Sequence, residues 1–116
     1  MFNLNLTIMR QVITIHAWKL FRLKKNGKIT PLFIDKTREL PFDQWMVAED
    51  HKTKGFAHRP GWHCTVSPEA PHLSKKGRVW LQVEIQDVEI FERPESQGGK
   101  WYLAKRMRIP NQVIPR

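Results

Sequence analysis

The sequence predicts a mainly β domain with little helix: a compact, mostly antiparallel sheet or partly closed barrel, starting with a β-hairpin that turns at Asn26-Gly27. Three observations predict it. No segment sustains the 3.6-residue apolar period of a helix. Two runs rich in β-branched and aromatic residues flank Asn26-Gly27, the strongest short hairpin signal. Residues 78–85 alternate strictly, with Val79, Leu81, Val83 and Ile85 on one face and Trp80, Gln82 and Glu84 on the other.

Residues 12–23 (VITIHAWKLFRL) form the first predicted strand. The turn KKNGK calls for a type I′ geometry, with positive φ at both central residues. The partner strand is 29–34 (ITPLFI), and Pro31, which has no N–H to give a ladder, predicts an edge position. Residues 42–49 (FDQWMVAE) fit either a short helix after Pro41 or a short strand. Residues 61–66 (GWHCTV) read as a strand, and 67–72 (SPEAPH) as a turn, because two prolines three apart forbid a long helix. After Ile85 the apolar parity switches to Val88 and Ile90, which predicts a bulge or bend near Gln86-Asp87. ERPESQGG is a loop hinged at Gly98-Gly99. The last predicted strand is 101–109, with Trp101, Leu103, Met107 and Ile109 on one side and Tyr102, Ala104, Arg106 and Arg108 on the other.

At 116 residues the chain has the length of a single domain, 1–116, in which residues 1–10 can be read as an N-terminal extension. No run approaches the ~18 apolar residues of a membrane-spanning helix, so no membrane partner is expected. The opening MFNLNLTIM lacks the basic start of a signal peptide. Cys64 is the only cysteine; it excludes an internal disulfide and fits a reducing compartment, so the cytoplasm is expected.

The formal net charge is +9, unevenly spread. Segments 1–34, 35–99 and 100–116 carry +6, −2 and +5. If the fold joins the two end segments, they form one basic face that attracts phosphate backbones. The candidate nucleic-acid contacts are Lys19, Arg22, Lys24, Lys25 and Lys28 in the first hairpin. Tyr102, Lys105, Arg106 and Arg108 supply the last strand's share. Trp18, Trp80 and Trp101 lie among these cations, and aromatic rings interleaved with cations can stack bases while the cations follow the backbone.

The stretch HRPGWHCT (58–65) concentrates two histidines, an arginine, a tryptophan and the cysteine. His58-x₄-His63 matches half of a zinc pattern, but the accompanying Cys pair is missing, and no metal or other cofactor is expected. His63 and Cys64 are adjacent, so on a strand they face opposite ways and cannot act as a dyad. The motif H-x-T occurs at His51 and His63, too close together for the two lobes of a two-histidine phosphoesterase. A ribonuclease-like acid/base site could use His58 and His63, with Arg59 or Lys54 steadying the phosphorane charge. The competing reading is structural: Pro60-Gly61 as a turn, Trp62 as a core anchor, and Arg59 paired with Glu49 or Asp50.

WKLFRLKKNGKITPLFI, GFAHRPGWHCTVSPEAPHLS, GRVWLQVEI and ERPESQGGKWYLAKRMRI together resemble a group of small uncharacterised proteins common in bacteriophage and prophage genomes. The likeness spans roughly residues 18–109 and implies a phage accessory role in the host cytoplasm. A more distant likeness is to the ADP-ribosyltransferases, through Leu20-Phe21-Arg22, Gly61-Trp62-His63-Cys64-Thr65 and Val83-Glu84-Ile85. It implies that Arg22 and His63 contact a nicotinamide dinucleotide and that Glu84 is the catalytic carboxylate.

The leading expectation is a small basic accessory protein that binds nucleic acid or a host nucleoprotein complex and so modulates host defence. The enzymatic alternative centres on His58, Arg59, His63 and Glu84. The third is a structural or virion-associated part, which would form a homo-oligomer and carry a large apolar patch.

Overall fold

The computed structural model describes residues 12–33, 35–49 and 61–115. Six strands form one antiparallel sheet: β1 (Ile15–Leu23), β2 (Ile29–Thr30), β3 (Met46–Val47), β4 (Trp62–Thr65), β5 (Arg78–Glu92) and β6 (Lys100–Arg108). The helical content among the described residues is a single 3₁₀ turn, Glu95–Gln97. No helix there is long and apolar enough to cross a membrane.

Four of the strands close a ring. β1 runs beside β5 from Ile15↔Ile85 to Arg22↔Arg78, and β5 runs beside β6 from Glu84↔Arg108 to Glu92↔Lys100. β6 takes β4 on its other edge, and β4 returns to β1 at Trp18↔Thr65. The result is a single antiparallel sheet curled into a barrel, the second of the two arrangements expected. Its interior is filled from all four walls by Ala17, Phe21, Cys64, Val83, Met107 and their neighbours. Each large side chain buried there contributes roughly 1.5–3 kcal/mol. Trp62 anchors β4 in this core and donates its indole N–H to the Met46 carbonyl at 3.2 Å.

Several local expectations are adjusted by the backbone. The first hairpin forms, but its turn is not type I′. Among residues 25–27 only Gly27 has positive φ (84°), with Gly27 N–H bonded to Lys24 O and Lys24 N–H to Lys28 O. That is a three-residue loop closed by a left-handed glycine. The second strand ends at Thr30 instead of 34, because Pro31 withholds the next ladder donor, and β2 lies at the sheet edge as expected. Residues 42–49 yield a short strand and no helix.

The predicted bend is present at Asp87, whose φ is 55°. The β5–β6 pairing keeps one register across it, from Gln86↔Arg106 to Val88↔Ala104, so no residue is inserted. Both strands exchange faces there together. That is why Ala104, expected outside, is buried, while Leu103 is only half-buried.

Where β6 ends, the register would place Pro110 opposite Gln82. Proline cannot donate, and the Gln112 side chain substitutes for the missing peptide group. Its Oε1 accepts from Gln82 N–H at 3.0 Å, and its Nε2 donates to Gln82 O at 2.9 Å.

Candidate nucleic-acid interface

The β1–β2 turn and the turn that leads into β5 meet at one end of the barrel. Leu23 N–H bonds Gly77 O at 2.9 Å, and Arg22 is the direct partner of Arg78. This contact gathers Arg22, Lys24, Lys25 and Lys28 of the hairpin with Lys75, Lys76 and Arg78. Like charges placed directly opposite on a ladder are unfavourable, so the Arg22/Arg78 pair concentrates positive potential at a cost to the fold. Lys25, Lys28, Lys75 and Lys76 are exposed. Glu39 enters the group by accepting from Lys24 at 2.8 Å and Asn26 at 3.2 Å, and these bonds hold its carboxyl below the usual range. Arg22 donates Nη2 to Leu32 O at 3.2 Å, while its buried Nε has no hydrogen-bond partner. Arg78 donates Nη1 to Ser74 O at 3.0 Å and lies 5.6 Å from the centre of the Phe33 ring.

Lys19 does not belong to this surface, although its charge put it in the predicted set. Strand alternation sets it on the inward face between Ala17 and Phe21. The residue as a whole is half-buried, but its ammonium is inside: Nζ donates to His63 O at 2.8 Å and lies 6.0 Å from the Phe21 and Trp62 ring centres. Burial lowers its pKa, partly offset by Cys64. A cation held this way cannot follow a phosphate chain.

The cations of the last strand sit elsewhere. Arg108 Nε donates to Glu84 Oε1 at 2.7 Å, and Arg106 stacks over Trp45 at 5.3 Å. Lys105 is exposed but falls opposite Asp87 in the register. Tyr102 is half-buried against the core, with the Lys100 ammonium 5.6 Å from its ring centre. Glu84 pairs with His16 on β1, six positions from the Arg22↔Arg78 rung, which is about 20 Å along the strand. The two basic end segments therefore do not merge. The hairpin gains its added cations from residues 75–78 instead, which the count by segments had placed in the neutral middle.

Of HRPGWHCT, residues 58–60, including His58 and Arg59, lie outside the described residues. The remainder is a packed corner. Trp62, Cys64 and Thr65 are buried, and Gly61 (φ 143°) is so close to β6 that a Cβ would stand 2.5 Å from Leu103 Cδ1. Burial pushes the Cys64 thiol up to about 11, with Lys19 opposing the shift. His63 faces away from Cys64, its ring edge-on to Phe91 at 6.0 Å. Among the described residues no group of three or more His, Cys, Asp and Glu side chains is placed to hold a metal. Arg22 and Glu84 stand six ladder positions apart, so Arg22, His63 and Glu84 do not converge on one dinucleotide. The Trp101 and Trp80 rings are unsuited to an open platform: Trp101 is buried with its N–H on Gln97 O, and the Trp80 indole nitrogen is enclosed.

Phe33, Lys75, Lys76 and Arg78 were not singled out from the sequence. The usable signal was the basic run SKKGR just before an alternating strand, beside a proline that ends a strand ahead of Phe33. Comparison with protein-family models, with curated proteins and with solved structures finds no match.

Proposed function

We propose that this protein is a nucleic-acid-binding accessory protein that grips the phosphate backbone with its hairpin end. The observation that carries the reading is the Arg22↔Arg78 rung, which unites two basic turns from distant parts of the chain. Phosphate contacts from such a cluster supply sequence-independent affinity by releasing counterions. The likeness to small phage proteins supports an accessory role in a host cell, with a nucleoprotein complex as the extended form of the same target. An enzymatic role has less support, since Arg22 and Glu84 stand far apart and Glu84 is engaged by Arg108.

The test is fluorescence anisotropy with a labelled oligonucleotide across a salt series. Log affinity should fall linearly with log salt. Lys25→Ala/Lys75→Ala/Lys76→Ala should make that slope shallower by about 2–3, near 0.7–0.9 per lost phosphate contact. Arg106→Ala/Arg108→Ala should leave the slope nearly unchanged, because those guanidiniums are already engaged. The opposite ranking would move the interface to β6, and no binding at low salt would overturn the reading.

A further inference from the structure

We propose that Phe33 is a stacking platform for an unpaired base, so that the hairpin end selects single-stranded over double-stranded nucleic acid; this rests on the phosphate-binding role of that end. Phe33 is 54% exposed and is the one exposed residue among the described phenylalanines, tryptophans and tyrosine. An accessible apolar ring beside a guanidinium, at the end of the barrel that gathers the lysines, suits a ligand that joins flat apolar faces to negative charge.

The ring is held from behind. Arg78 lies against it at 5.6 Å and is itself tethered to Ser74 O. The preceding residue, Leu32, is buried, and its carbonyl accepts from Arg22. The ring thus follows a buried, hydrogen-bonded residue and lies beside an anchored guanidinium. That is preorganisation, and it reduces what must be ordered on binding. Lys75 and Lys76, exposed and just ahead of Arg78 in the chain, supply cations for the phosphates that flank a stacked base. A duplex keeps its base faces stacked internally and can offer this site only its backbone. Phenylalanine has no hydrogen-bonding group, so the stack should be tolerant of base identity.

The test compares three probes of equal length: an unstructured single strand, the corresponding duplex, and an abasic sugar-phosphate strand that retains charge without bases. Wild type should bind the single strand more tightly than the abasic strand. Phe33→Ala should weaken single-strand binding by about 5- to 150-fold, bringing it to the abasic level, with the salt slope and duplex affinity unchanged. Phe33→Trp should retain the preference, and its indole emission should quench on binding the single strand but not the abasic one. Circular dichroism checks that both variants fold. Equal affinity of wild type for single and abasic strands, with a normal salt slope, would overturn this inference and leave the phosphate-binding reading standing. Absence of binding to all three probes would overturn both.

Discussion

Lys19 shows how one side chain's chemistry follows from its place in an alternation. Positions 17, 19 and 21 share the inward face of β1, so the lysine must bring its ammonium into the barrel. There it donates to the His63 carbonyl and otherwise lies among aromatic rings and the Cys64 thiol. Its pKa in the fold lies below the ordinary 10.5, so between that lowered value and 10.5 the unfolded chain binds more protons, and stability rises with pH through the window. Cys64 acts in the opposite sense: raised from 9.0 to about 11, it costs stability as pH rises across that interval. Lys19→Met removes the first effect and keeps the second. In urea unfolding at pH 8, Lys19→Met should match or exceed wild type by up to ~1–4 kcal/mol, since a buried charge is replaced by an apolar chain of similar length. Between pH 9 and 11 it should lose stability more steeply than wild type. A large loss at pH 8 would mean that the bond to His63 O outweighs the cost of burying the ammonium. The inward position was legible from the flanking Ala17 and Phe21; counting charge alone hid it.

At the scale of elements, β4 depends on how closely Gly61, the residue before it, approaches β6. An added Cβ at Gly61 would meet Leu103 Cδ1 at 2.5 Å and Ala104 O at 3.2 Å, at a φ that L-residues rarely adopt. The leucine tip can swing aside, but the backbone carbonyl cannot. Gly61→Ala should therefore destabilise by about 2–3 kcal/mol, and a thermal melt should show a midpoint lower by roughly 10 °C or more. Adding Leu103→Ala should recover only part of it, and a loss below about 0.5 kcal/mol would mean that this corner relaxes freely. The Pro-Gly pair announced a turn here, and strands β1, β4 and β5 were legible from their residue types and alternation. The bend at Asp87 was legible too, because apolar parity records it directly. The face exchange in β6 was not: its cause lies in the partner strand, and period-2 reading of residues 101–109 alone continues straight through it. The turn at Asn26-Gly27 was misassigned because that pair serves two-residue and three-residue loops alike.

For the molecule as a whole, the ring has one weak seam. β1 and β4 meet at the single pair Trp18↔Thr65, helped by the Lys19 ammonium and by the Thr65 hydroxyl toward Trp18 O at 3.4 Å. The β1–β5 ladder, by contrast, runs through eight pairs. Native-state hydrogen exchange should find the amides of Trp62–Thr65 opening locally, at least tenfold less protected than those of Leu81 and Val83, which should exchange only with global unfolding. Equal protection would show that the barrel opens as one unit. The charge pattern was legible in amount but not in arrangement. Segment totals pointed to the two ends of the chain, whereas the antiparallel return of β5 brought residues 75–78 to the hairpin.

The Gln112 amide bonded to Gln82 has a consequence for how copies of this protein meet one another. Beyond the end of β6, the outer edge of β5 would expose an unpaired N–H and C=O, the pattern on which another chain can add a strand. By occupying both groups with a side chain that has no further backbone to extend, the protein blocks that rung without offering a new edge. A guard against unwanted strand addition thus sits in a single glutamine of the C-terminal tail, at the position where a proline could not have served.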